Sequence, residues 1–241
     1  MLKLIKLEIK RNRLKGYITA GLVITVALIG LVYLFAAIPY LDASDKDVQI
    51  FMTYNGISTL SLVVATACFS ILSSVMYNRF IIEEYTSKKV FLLFSYPVER
   101  NRVLWVKIIT VFLFIVISMI FSGMIVFSIF FITESFFPLC QDVLTLSTIF
   151  GIVASLVAYS ITSAALAVIS LWFGYWKKSA SVTIVSGVIV SSIFGSFSSE
   201  ILLSGGITHK LMILVVIAAV STLVALALIT RLSQKINTME V

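Results

Sequence analysis

Six stretches of this chain carry no Asp, Glu, Lys, Arg or His, and each is long enough to cross a bilayer: residues 16–40, 48–78, 108–133, 143–176, 179–199 and 211–230. A crossing helix needs roughly 20 mainly apolar residues. In lipid a backbone must satisfy its own hydrogen bonds, so spans of this kind are helices or closed barrels. Uninterrupted apolar runs, rather than alternating ones, point to helices. The expected fold class is therefore an all-α membrane protein with six transmembrane helices in a single domain covering residues 1–241. Composition agrees: 60% of residues are hydrophobic and 12% charged, about half the charge of an ordinary soluble domain. The 143–176 run is too long for one simple crossing and too short for two with a turn, so it reads as one long, tilted or broken helix. Residues 16–40 lack a convincing cleavage site and exceed a signal peptide's h-region, so they read as a retained span.

Charge placement sets the expected orientation. Of the 18 basic residues, all but Lys46 and Lys210 fall in the N-terminal segment, in the loop between spans 2 and 3, at Lys177–Lys178 or in the tail. Lys and Arg bias puts those loops, and both termini, in the cytoplasm. Trp105, Trp172 and Trp176 lie beside the same ends, as an interfacial belt would place them. The localisation expected is a multi-pass protein of the plasma membrane. The net charge of +7 is thus a topological signal, and nothing points to nucleic acid. Residues 1–15 place Lys3, Lys6, Lys10 and Arg13 on one helical face, which fits an interfacial amphipathic helix.

Catalytic and metal-binding patterns are missing. There is no phosphate-binding GxxxxGK[ST] loop. His209 is the only histidine, and no GxSxG accompanies it. Cys68 is expected mid-membrane and Cys140 near the outer surface, so a bridge between them is not expected. The chain does not read as an enzyme, and no metal site or bound cofactor is expected in it.

Two polar patterns remain. Span 2 contains Ser58, Thr66 and Ser70 among other hydroxyls. Span 5 repeats small residues every four positions, including Thr183, Gly187, Ser191 and Gly195. Such stripes let helices approach closely, and hydroxyls can also line a pathway. Both roles stay open, with packing favoured for span 5. The second pattern is the loop at residues 79–107, which has an apolar run, Val90 to Phe94, between charged groups. Glu83, Glu84, Tyr85, Lys88, Lys89, Val90, Phe91 and Phe94 are its candidate docking residues. Val90 and Phe94 share a helical face with Leu93, and Pro97 ends any helix there.

The loop resembles that of the permease subunits of ABC-2 type exporters. The features that carry the resemblance are the acidic residue Glu84 before Tyr85, then Lys88, Leu92–Leu93, Pro97, Arg100 or Arg102, and Lys107. Ser87 and Lys88 stand where that family commonly has glycine. The six-span, both-ends-inside plan with an N-terminal interfacial helix is also similar. The resemblance implies a dimer of permeases, made with a second copy of the chain or with a paralogue, and a separate ABC ATPase subunit carrying ATP and Mg. Residues 84–94 would form the cytoplasmic coupling helix that docks on that ATPase. Small permeases of this kind export amphipathic peptides, such as bacteriocins, lantibiotics and toxins, or give immunity to them. Drug or lipid export shares the architecture. A motor-free channel would leave the apolar loop unexplained, and a scaffold would leave the hydroxyl-rich spans unexplained.

Overall fold

The computed structural model describes residues 14–41, 51–86, 100–137, 140, 142, 145–177, 179–203 and 207–237. They form eight helical pieces in order: α1 (Lys15–Leu41), α2 (Tyr54–Tyr77), a π-helical turn (Asn78–Ile82), α3 (Glu83–Thr86), α4 (Arg100–Phe136), α5 (Leu146–Lys177), α6 (Ala180–Leu203) and α7 (Ile207–Asn237). No strand occurs among the described residues. Among the described residues six helices are long and apolar enough to cross a membrane, the second continuing from α2 through the π turn.

The helix bounds follow local chemistry. Thr53 caps α2: its backbone is extended and its Oγ1 accepts the Gly56 N–H at 3.1 Å, satisfying one of the open donors of the first turn. Pro39 sits in the last turn of α1. The 143–176 run, read as one long, tilted or broken helix, is covered from Leu146 by one unbroken helix of 32 residues, Leu146–Lys177. At 1.5 Å per residue that is about 48 Å, longer than a hydrocarbon core of about 30 Å.

The larger departure is α4. The charge-free run suggested a span beginning at residue 108, with Lys107 at its foot. The helix instead begins at Arg100 and runs 37 residues, taking in Arg102, Lys107 and Glu134. Lys107 and Glu134 are buried. Counting charges places a span boundary where the charge is, but a helix continues past a charge whose partners are supplied by neighbours.

The helices alternate up and down. Thr25 meets Ser122 and Tyr33 meets Thr133, so α1 and α4 run parallel. Tyr54 meets Glu134 and Tyr77 meets Ile108, so α2 and α4 are antiparallel. Tyr17 packs edge-on to Phe80, and Ser233 donates to Asn101. The start of α1 and the end of α7 therefore share one end of the bundle with Lys107.

α5 is the hub, packing on α2, α4, α6 and α7. In their most apolar windows α5 and α2 are 67% and 56% buried, against 22% for α1 and α6, so α2 and α5 are the inner pair. Small residues make this possible. Ser163, Ala164, Ala165, Ala167 and Ser170 are fully buried on α5, and short side chains let neighbouring backbones close in, where lipid supplies no hydrophobic drive between helices.

Candidate functional site

A knot of polar contacts closes the bundle where α2 ends. The π turn is confirmed by its own hydrogen bond: the Glu83 N–H reaches the Asn78 carbonyl, five residues back. Single π turns inside helices often mark functional positions. Lys107 reaches this turn from α4. Its ammonium donates to the Phe80 carbonyl at 2.8 Å and pairs with the Glu84 carboxylate. Lys107 is 0% exposed and the Glu84 side chain 17%. An ammonium removed from water requires such partners. Asn78 Nδ2 lies 3.5 Å from Glu83 Oε1, and Tyr77 donates to the Ile108 carbonyl at 3.3 Å.

Glycine lets the π turn sit deep. A Cβ on Gly174 of α5 would lie 2.7 Å from Ile82 Cδ1 and 2.8 Å from Thr183 Cβ. Both contacts are closer than real side chains come, so the π turn, α5 and α6 meet here only because position 174 has no side chain.

Among the docking residues expected from the loop, Glu83 and Glu84 lie in the described residues and Tyr85 lies in α3. Lys88, Lys89, Val90, Phe91 and Phe94 lie outside the described residues. The structure thus joins the two charged landmarks at either end of the loop motif, Glu84 and Lys107, across 23 residues of sequence.

The hydroxyl patterns converge on a seam between α2, α5 and α6. Thr183 and Ser191 of α6 and Ser58, Thr66 and Ser70 of α2 are buried. Ser74 and Ser170 hydrogen-bond at 2.7 Å across α2 and α5, and Ser163 donates to the Thr66 carbonyl. A Cβ on Gly187 would lie 3.1 Å from Ser74 Cβ and would run into Ser74 Oγ. At Gly195 the nearest atom is Val63 Cγ1 at 3.6 Å, an ordinary contact. A strict four-residue repeat drifts around a helix of 3.6 residues per turn. The buried line on α6 therefore runs through Thr183, Gly187, Ser191, Phe194 and Ser198, leaving Gly195 at its edge. Most of these hydroxyls return their proton to their own helix, as Thr66 does to the Leu62 carbonyl at 2.8 Å. Ser70 Oγ and Ser73 Oγ are buried with no hydrogen-bond partner.

A second polar cluster, at the other end of α4, was not anticipated. Glu134, 5% exposed, accepts from the Tyr54 hydroxyl at 3.2 Å and from the Cys140 N–H at 2.6 Å. Burial, then the Glu134 charge beside it, pushes the Cys140 thiol up to about 12. Its sequence signal was slight: one acid directly after the 108–133 run, with a tyrosine far upstream. Cys68 and Cys140 are both free. No group of three or more His, Cys, Asp or Glu suited to a metal occurs among the described residues.

No family model matches the chain, and no solved structure matches it. It is 23% identical over 197 residues to a Bacillus subtilis (strain 168) protein named "Uncharacterized protein YcbO", covering 82% of this chain and 85% of that one.

Proposed function

We propose that this chain is the membrane subunit of an ATP-driven exporter of the ABC-2 type, moving an amphipathic substrate, a peptide by preference, across the plasma membrane. It works as a dimer with a second permease, and a separate ABC ATPase holds ATP and Mg. The observation that carries the reading is the Lys107–Glu84 pair. It ties together the two roots of the loop at residues 87–99, one on α3 and one on α4. A loop that passes force from a motor to a bundle needs roots that cannot slide independently. A part-buried ion pair and a π turn packed against Gly174 supply that. The basic residues of the described helices also favour this end: Lys15, Arg79, Arg100, Arg102, Lys107, Lys177, Arg231 and Lys235 lie there, against Lys210 at the other. That bias supports a cytoplasmic loop, where an ATPase would meet it. Substrate passage in this reading requires α6 to move off α2, uncovering Ser70 and Ser73 together with Thr183, Gly187, Ser191 and Gly195.

Cross-linking from Phe91→Cys or Phe94→Cys to the ATPase in membranes tests the reading, with cross-links at one or both positions expected. An intact complex that cross-links at neither removes the coupling role. A chain that purifies without any ATPase favours a channel or scaffold. Ser44→Cys and Gly206→Cys should react with an impermeant thiol reagent on whole cells, and Ser87→Cys should not. Labelling of Ser87→Cys from outside reverses the topology.

A further inference from the structure

Buried hydroxyls divide this bundle in two. On α1 and α4 the buried Thr25, Ser122 and Thr110 all have partners. Thr25 donates to Ser122 at 2.9 Å, and Thr110 gives its proton to the Val106 carbonyl at 2.7 Å. The buried hydroxyl oxygens without a hydrogen-bond partner among the described residues are those of Ser70 and Ser73 on α2, Tyr159 on α5 and Ser198 on α6. Tyr159 lies beside Ser198, so those two have each other within reach. For Ser70 and Ser73 the nearby acceptors are already in use. A serine inside a helix commonly gives its proton to a carbonyl three or four residues back. Four residues before Ser70, the Thr66 carbonyl accepts from Ser163 at 3.3 Å. Three residues before Ser73, the Ser70 carbonyl accepts from Ser74 at 2.9 Å.

Ser70 lies one turn from Ser74 and one turn from Thr66, the two positions of α2 that bond to α5, so it sits on the same line of contact. α6 closes that line from the side. Gly187 abuts Ser74, Gly195 lies against Val63, and Ser191 falls one turn from each. The hold of α6 is slight: Ser186 reaches the Ser170 carbonyl at 3.3 Å, and the most apolar window of α6 is only 22% buried. A hydroxyl shut away from water without a bond costs its full desolvation penalty. Glycine and serine side chains have few atoms whose dispersion contacts could offset it. Of the contacts in the bundle, this seam has the most to gain from parting.

We propose that the seam of α2, α5 and α6 is a gate held closed against two unpaired hydroxyls. When α6 moves off α2, water reaches Ser70 and Ser73, and the parted seam is a binding site for a hydrogen-bonding group. Its ligand is water when no solute is present. The α1–α4 contact, with its hydroxyls paired, stays shut. The gate deepens the reading in which α6 moves but needs no motor, so a failure to cross-link the ATPase leaves it standing.

Cysteine accessibility tests it in the full chain carrying Cys68→Ala and Cys140→Ala. Ser191→Cys reports on the seam. Ser122→Cys is the reference, because Ser122 and Ser191 are both 3% exposed and Ser122 belongs to the paired α1–α4 contact. Each variant in lipid nanodiscs, open to reagent on both faces, meets a charged methanethiosulfonate, which needs a hydrated thiolate. Ser191→Cys should be labelled several-fold faster than Ser122→Cys. Adding Ser70→Ala and Ser73→Ala removes the unpaired hydroxyls from the closed seam. That pair should slow labelling of Ser191→Cys several-fold, leave Ser122→Cys unchanged and raise the melting midpoint by a few degrees. Serines that only pack would lose contacts on truncation and melt no higher. Labelling of Ser191→Cys no faster than the reference overturns the proposal. So does an alanine pair that leaves that rate unchanged or fails to raise the midpoint.

Discussion

Lys107 and Glu134 lie near opposite ends of the same helix, both buried and both charged, yet they are held in different ways. Lys107 meets an opposite charge and a carbonyl, both from the segment that leads into the loop at 87–99. Glu134 accepts from a phenol and a backbone amide. An ion pair fixes two segments to one another strongly, since breaking it strands the remaining charge. Neutral donors stabilise a carboxylate with smaller, separable contributions. The Lys107 end is thus built to lock a loop to the bundle, and the Glu134 end to tie the start of α2 to the chain just beyond α4.

The largest expected effect is at Lys107. Lys107→Met leaves Glu84 near the bundle without its cation and should cost up to about 3–5 kcal/mol, the range for a broken buried pair, with the part-exposed carboxylate pulling it toward the lower value. Thermal unfolding in detergent reads this directly. Adding Glu84→Gln to Lys107→Met should recover a large part of the loss. If the double variant is no more stable than the single one, the pair is not what holds this end.

At the other end, Glu134→Gln should cost less, about 1.5–3 kcal/mol at most, because both donors keep an acceptor while the charge-assisted strength is lost. A Glu134→Gln loss equal to that of Lys107→Met would erase the contrast between the two ends. Tyr54→Phe removes one donor and should cost about 1 kcal/mol, measured by the same melt.

The smallest effect is kinetic. With its thiol pushed up to about 12 by burial and by the Glu134 charge, Cys140 should be alkylated slowly at pH 8, since the thiolate is the reactive form. Glu134→Gln removes the negative charge, lowers the thiol pKa and should raise the alkylation rate, measured by mass spectrometry, while Cys68 is unchanged. An unchanged Cys140 rate would separate the thiol from the Glu134 carboxylate and leave burial and the Asp142 charge as its perturbations.

Much of the fold was legible because hydrocarbon imposes a simple rule: backbone polar groups must bond within the helix and side chains must be apolar. Runs such as 16–40 and 211–230 follow it closely, and α1 and α7 appear close to those positions. The same rule misplaced the start of α4, because it treats a charge as an end of the membrane rather than as a residue with a partner. The small-residue repeat of span 5 announced close packing, and Gly187 against Ser74 is such a contact. The repeat could not say which helix it would meet, or that its line would pass to Phe194 and Ser198.

Chain composition and order by themselves determined the helical class, the number of helices long and apolar enough to cross a membrane and the end of the bundle on which charge gathers, since these depend on each residue's own transfer preference. Only the tertiary structure decided that Glu84 and Lys107 are partners, that a π turn meets Gly174, and that Ser70 and Ser73 are buried without a hydrogen-bond partner. Those features depend on which surfaces meet after the helices form, and residues far apart in sequence carry no local mark of the partner they will find.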